Sequence, residues 1–100
     1  MIETKCSEQL PPENQIVFTV IDDQYGRRNE QTLKRQGGLW FTPDGGMYVY
    51  YTPTHWRPAT REELEHDRKA ASTKADYDRS VVASIDEQIT ALSTQQEIQK

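Results

Sequence analysis

Cysteine is nearly missing from this chain, with Cys6 the single one. No intrachain disulfide can form, and a secreted domain of this size ordinarily carries several, so a reducing, cytoplasmic setting is expected. Residues 1–6 include acidic Glu3 and no apolar run, which is not the pattern of a secretory leader. Long hydrophobic runs are also absent. Nothing approaches the ~18 apolar residues that cross a bilayer, so no membrane partner is expected. An excess of basic charge is lacking too: Lys and Arg number 12 against 16 Asp and Glu, for a net charge of −4. Binding to phosphate backbones relies on clustered cations, which makes nucleic acid a poor candidate ligand.

Aliphatic residues are scarce. Ile, Leu, Val and Phe together make up 18 of the 100 residues, a level that suggests disorder when net charge is extreme. Here it is not, and seven Trp and Tyr rings can add to a core. Glycine and proline are missing from residues 60–100, whereas all five of each lie before Ala59. Both residues punctuate turns, and their absence permits long helices. The expected class is α+β, with a β-rich head over residues 1–59 and a helical tail over residues 60–100. The head reads as a small antiparallel three- to four-stranded β-meander, and the tail as a long C-terminal helix or a helical hairpin.

Within the head, residues 16–21 (IVFTVI) form the clearest strand. Apolar groups occur on both alternating faces, as in a strand covered on both sides. Residues 22–26 predict a turn, and a polar strand follows around residues 31–35. Gly37 and Gly38 interrupt the chain before a short strand at residues 39–41. Pro43-Asp44-Gly45-Gly46 predicts a hairpin, because proline presets φ, Asp bonds the backbone locally and glycine accepts positive φ. Residues 47–51 (MYVYY) would be the returning strand.

The tail opens on a capping box, Thr60-x-x-Glu63, with Glu62 and Glu63 at the positive end of the helix dipole. Beyond it, Leu64, Ala71, Ile85 and Leu92 share a seven-residue phase broken by Asp78. Ala75, Val82 and Ile89 occupy the complementary phase. One helix over residues 61–96 would be about 54 Å long, against roughly 22–25 Å for a 60-residue head. Either the tail folds back near Ser72-Thr73 or Ser80, or its distal stripe of Val82, Ile85, Ile89 and Leu92 meets another chain.

Catalytic and metal-binding patterns are weak. Glu62 and His66 are four apart on one helical face, but a metal site needs a third and fourth ligand, and none is spaced to supply them. Neither metal nor cofactor is expected. Asp22 and Asp23 are adjacent and point apart, which suits a turn better than paired acid–base chemistry. No nucleophile setting or phosphate loop is present, so an enzyme is not expected. Six of the nine aromatic residues fall between residues 40 and 56. Some must build the core, and the sheet's two faces would divide core from interface, leaving Tyr48, Tyr50 and Trp56 as candidate partner-binding residues.

Ser7-Glu8-Gln9-Leu10-Pro11-Pro12-Glu13, a glycine-preceded Trp40, and Thr54-His55-Trp56-Arg57-Pro58 together resemble a small domain of unknown function. That domain is common in enterobacterial phages and prophages, opening on an "LPP" turn and closing on "THW.P". The resemblance covers residues 7–58 and transfers no catalytic residue. It implies a phage accessory protein acting in the bacterial cytoplasm. The tail departs from the family pattern, which stops soon after the Trp-x-Pro. The expectation is a non-enzymatic protein that binds and modulates, most simply inhibits, a host bacterial protein such as a nuclease, a recombination enzyme or an antiviral defence complex. The alternative is a homodimer joined by a C-terminal coiled coil.

Overall fold

A computed structural model of the chain describes residues 3–73 and 79–98. The chain divides into two compact units, Met1–Ala59 and Thr60–Lys100.

The first unit is an antiparallel sheet of β1 (Thr4–Lys5), β2 (Ile16–Asp23), β3 (Gly26–Gln36), β4 (Leu39–Phe41) and β5 (His55–Pro58). The spatial order is β1-β5-β2-β3-β4. β2 is central and buries Ile16, Val17, Val20 and Ile21, as its two-sided apolar pattern predicts. The turn to β3 forms as read: the Asp23 carboxylate accepts from the Tyr25 N–H at 2.9 Å, and Gly26 has φ 104°. β3 begins at Gly26, earlier than the polar run around residues 31–35 suggested. Its pairing with β2 slips between Thr19 and Ile21, where Asn29 stands at φ 56°. An extra residue on one strand produces such a bulge.

Five strands replace the expected three or four, and the order is not a meander. β5 comes back from the far side of the 43–46 hairpin to pair with β2, through Val17↔Pro58, Phe18↔Arg57, Thr19↔Trp56 and Val20↔His55. It also pairs with β1 on its other side. The predicted strand over residues 47–51 is reduced to a single bridge, Phe41↔Tyr48. The hairpin turn preceding it is well formed: Asp44 accepts from the Thr42 hydroxyl at 2.6 Å and from the Gly46 N–H at 3.0 Å.

Val17, Leu33, Trp40 and Trp56 form the core, with Cys6 and Val49 packed against them. Two polar atoms in this region are satisfied internally, as burial requires. The fully buried Thr19 donates from Oγ1 to the Gln31 carbonyl at 2.8 Å. Trp56 donates from Nε1 to the Gln9 carbonyl at 2.8 Å.

The second unit contains α1 (Arg61–Ser72) and α2 (Arg79–Ile98). The capping box closes in both directions: Thr60 Oγ1 accepts from the Glu63 N–H at 3.2 Å, and Glu63 Oε1 from the Thr60 N–H at 2.8 Å. One continuous helix is not formed. At Ser72 and Thr73 the hydroxyls bond back to the carbonyls of Lys69 and Ala70, competing with further helical bonds. α1 and α2 pack on each other, and an Arg68–Asp86 ion pair joins them. Leu64, Ala71, Val82 and Ile85 are buried. The heptad positions Ala75 and Asp78 lie outside the described residues.

Candidate protein-binding surface

Strand pairing sorts the aromatic residues of the head by face. Directly paired residues share a face, and residues alternate along each strand. Arg35 pairs with Trp40 and Val17 with Leu33, which places Trp40 and Leu33 on the core side. Lys34 pairs with Phe41 and Phe41 with Tyr48, which places these three on the opposite side. Residues 48–50 divide accordingly: Val49 packs against the core, while Tyr48 and Tyr50 project from the other face.

This face is buried over β2, at Ile16 and Val20, but at the β4 edge it is open to solvent. Tyr50 is 93% exposed and Tyr48 45%, with Leu39 at 47% and neighbouring Met47 at 70%. The rings form an edge-to-face series, 6.1 Å from Phe41 to Tyr48 and 5.3 Å from Tyr48 to Tyr50. Edge-to-face contact at such distances orders rings without burying them. A preordered, exposed aromatic and aliphatic patch at a sheet edge is the usual chemistry of a protein contact.

The other sequence candidates are placed differently. Trp56 is 7% exposed and belongs to the core, so it does not join the open face. Val82 and Ile85 are buried, and Ile89 and Leu92 are half-buried. The stripe is therefore covered in part within the chain. Sequence reasoning missed Leu39 and Met47 as surface residues. Leu39 has a readable signal, its two-residue spacing from Phe41, but only the strand pairing shows which face is open.

Three arginines of the head are paired with its own acids. Arg27 donates to both Glu3 oxygens at 2.9 Å and reaches Asp22 at 3.3 Å and Glu30 at 3.4 Å. Arg28 pairs with Asp23 at 2.9 Å and Arg35 with Glu13 at 3.7 Å. Arg57 lies over the Phe18 ring at 4.1 Å. Arg27 hydrogen bonds hold the Glu3 carboxyl below its usual range, and Arg28, with the Tyr25 N–H, does the same to Asp23. Glu3 in turn raises the Arg27 pKa.

An open cleft of about 430 Å³ lies on the far edge of the same sheet, lined by Lys5, Cys6, Ser7, Leu10, Pro53 and His55 among others. Burial raises the Cys6 thiol pKa, which keeps it protonated and weakly nucleophilic at neutral pH. His55 Nδ1 is engaged by Thr54 Oγ1 at 2.8 Å. Glu62 and His66 are both exposed on α1, and among the described residues no group of three or more His, Cys, Asp or Glu is placed to hold a metal ion. Among the described residues no helix is long and apolar enough to cross a membrane. No family model, curated protein or solved structure matches this chain.

Proposed function

We propose that the chain is a non-enzymatic, phage-encoded accessory protein that binds a host bacterial protein and modulates it, acting in the host cytoplasm. The observation that carries the reading is the edge-to-face series running from half-buried Phe41 to exposed Tyr48 and Tyr50, beside exposed Leu39. Clustered exposed aromatic groups of this kind suit a protein contact. The phage origin rests on the LPP and THW.P resemblance.

The test is affinity purification from an enterobacterial lysate with the native chain and with Tyr48→Ser/Tyr50→Ser, followed by binding measurements on the purified partner. Both tyrosines project away from the core, so the double variant should fold normally. Its affinity for the partner should fall at least tenfold. Equal affinity in a folded variant would reject this surface as the binding site.

A further inference from the structure

The cleft at the β1–β5 edge of the sheet is walled by backbone whose hydrogen bonds are already made. The Cys6 N–H donates to the Thr54 carbonyl at 2.8 Å, and the Glu8 and Gln9 N–H groups both donate to the Lys5 carbonyl at 3.0 Å. The Thr54 N–H donates to the Val20 carbonyl at 3.0 Å, and the Gln9 carbonyl accepts from Trp56 Nε1 at 2.8 Å. Thr54 Oγ1 accepts from the Asp22 N–H and contacts His55 Nδ1, both at 2.8 Å. These bonds tie residues 5–9 to residues 54–56 and to β2, so the cleft is held in shape before any ligand arrives. They also occupy these groups internally, whereas an extended peptide binds through main-chain hydrogen bonds.

What the walls offer instead is apolar surface and an ammonium group. Pro53 is fully buried, Cys6 packs against the core, and Leu10 stands 46% exposed. Burial keeps the Cys6 thiol protonated, so that wall carries no charge. Lys5 and His55 pair directly across the β1–β5 ladder, which places both on one face. Among the described residues no carboxylate lines the cleft or pairs with Lys5. The chain as a whole carries a net charge of −4, so a cleft without acids stands apart from the rest of its surface. Its volume of about 430 Å³ lies within the ~300–1,000 Å³ usual for small-molecule sites. Such sites are mostly apolar, with a few polar groups that fix the ligand's orientation.

We infer that this cleft binds a small aliphatic carboxylate, with its chain against Cys6, Leu10 and Pro53 and its head group at Lys5. An ammonium head group would meet Lys5 with like charge, and a peptide would find the wall's amides already bonded. The site lies at the opposite edge of the sheet from Tyr48 and Tyr50, and it stands or falls independently of the proposed function.

An amide NMR titration of the full chain with octanoate tests it. The amides of Cys6, Ser7, Leu10 and Thr54 should shift saturably, while those of Tyr48 and Tyr50 should not. Octylammonium should bind about fivefold more weakly, the effect of one exposed charge pair, and Lys5→Gln should erase that preference. Leu10 is exposed, so Leu10→Glu should fold, and it should abolish octanoate binding. Shifts that do not saturate overturn the inference, as do equal affinities for the two ligands or shifts confined to the tyrosine face. A preference unchanged in Lys5→Gln, or octanoate binding retained in Leu10→Glu, overturns it as well. Alkylation of Cys6 in the native chain gives an independent reading should either variant unfold. Saturating octanoate should slow the reaction with iodoacetamide severalfold relative to the same concentration of sodium chloride, and an unchanged rate rejects the site.

Discussion

Trp56 shows how a single residue can carry an ambiguous message. In sequence it is an aromatic residue in a cluster of aromatics, and interface and core readings are both open. Strand pairing decides between them by placing it opposite Thr19 on the core side, with its Nε1–H bonded to the Gln9 carbonyl. Trp56→Ala should therefore cost about 3–5 kcal/mol, a large share of the ~5–15 kcal/mol typical of whole domains. Urea denaturation would show it as a large drop in midpoint. Trp56→Phe retains most of the ring and should lose less, about 1–3 kcal/mol, including the hydrogen bond. Glu3 offers a second prediction at this scale. Arg27 lowers its pKa in the fold, so its contribution is fully present above the ordinary value of 4.5 and is lost as pH falls through the lower folded value. Stability measured from pH 5 downward should decline less steeply in Glu3→Gln than in the native chain. An identical slope would show that the Arg27 pairing contributes nothing to stability.

Elements with local signals were legible. The capping box at Thr60, the turn at Asp23 and Gly26, and the hairpin turn at Asp44 depend on side chains bonding nearby backbone, and all form as their residues suggest. β2 was equally clear, because apolar residues on both faces suit a central strand. Elements defined by distant partners were not. β1 has two residues and exists only because β5 lies beside it. Residues 47–51 have strong β character, yet form one bridge, Phe41↔Tyr48, before the chain bends at Tyr50 and Tyr51. The break between α1 and α2 had a local trace in Ser72-Thr73, one of the two places where the sequence allows the tail to fold back. The cap is the simplest element to test. Thr60→Ala removes the acceptor for the Glu63 amide and should lower stability by about 1 kcal/mol. Thr60→Ser should restore most of it, since serine supplies the same oxygen. Urea midpoints of the three chains would compare them directly.

At the scale of the whole molecule, what could not be read was the return of β5 to β2. That pairing joins residues nearly forty positions apart, and no local pattern encodes which distant strand is chosen. The same limit applied to the binding surface. Composition showed that aromatics must be divided between core and surface, but the division followed only from the register that sets Val49 inward and Tyr48 outward. The charge distribution bears on a further test. An acidic balance argues against nucleic acid, and in the head Arg27, Arg28 and Arg35 are each paired to a carboxylate, while Arg57 lies over Phe18. Neutralising a phosphate with any of the paired three would require giving up an existing ion pair. Single-stranded oligonucleotides should therefore give no gel shift at 0.15 M salt, even though exposed tyrosines are suited to stacking on bases. Partner binding through Tyr48 and Tyr50 should also respond weakly to salt, changing less than threefold in affinity between 0.05 and 0.2 M. Phosphate recognition by several cations would instead weaken it by orders of magnitude over that range. A steep salt dependence would mean that charged groups, not the tyrosine face, dominate the contact.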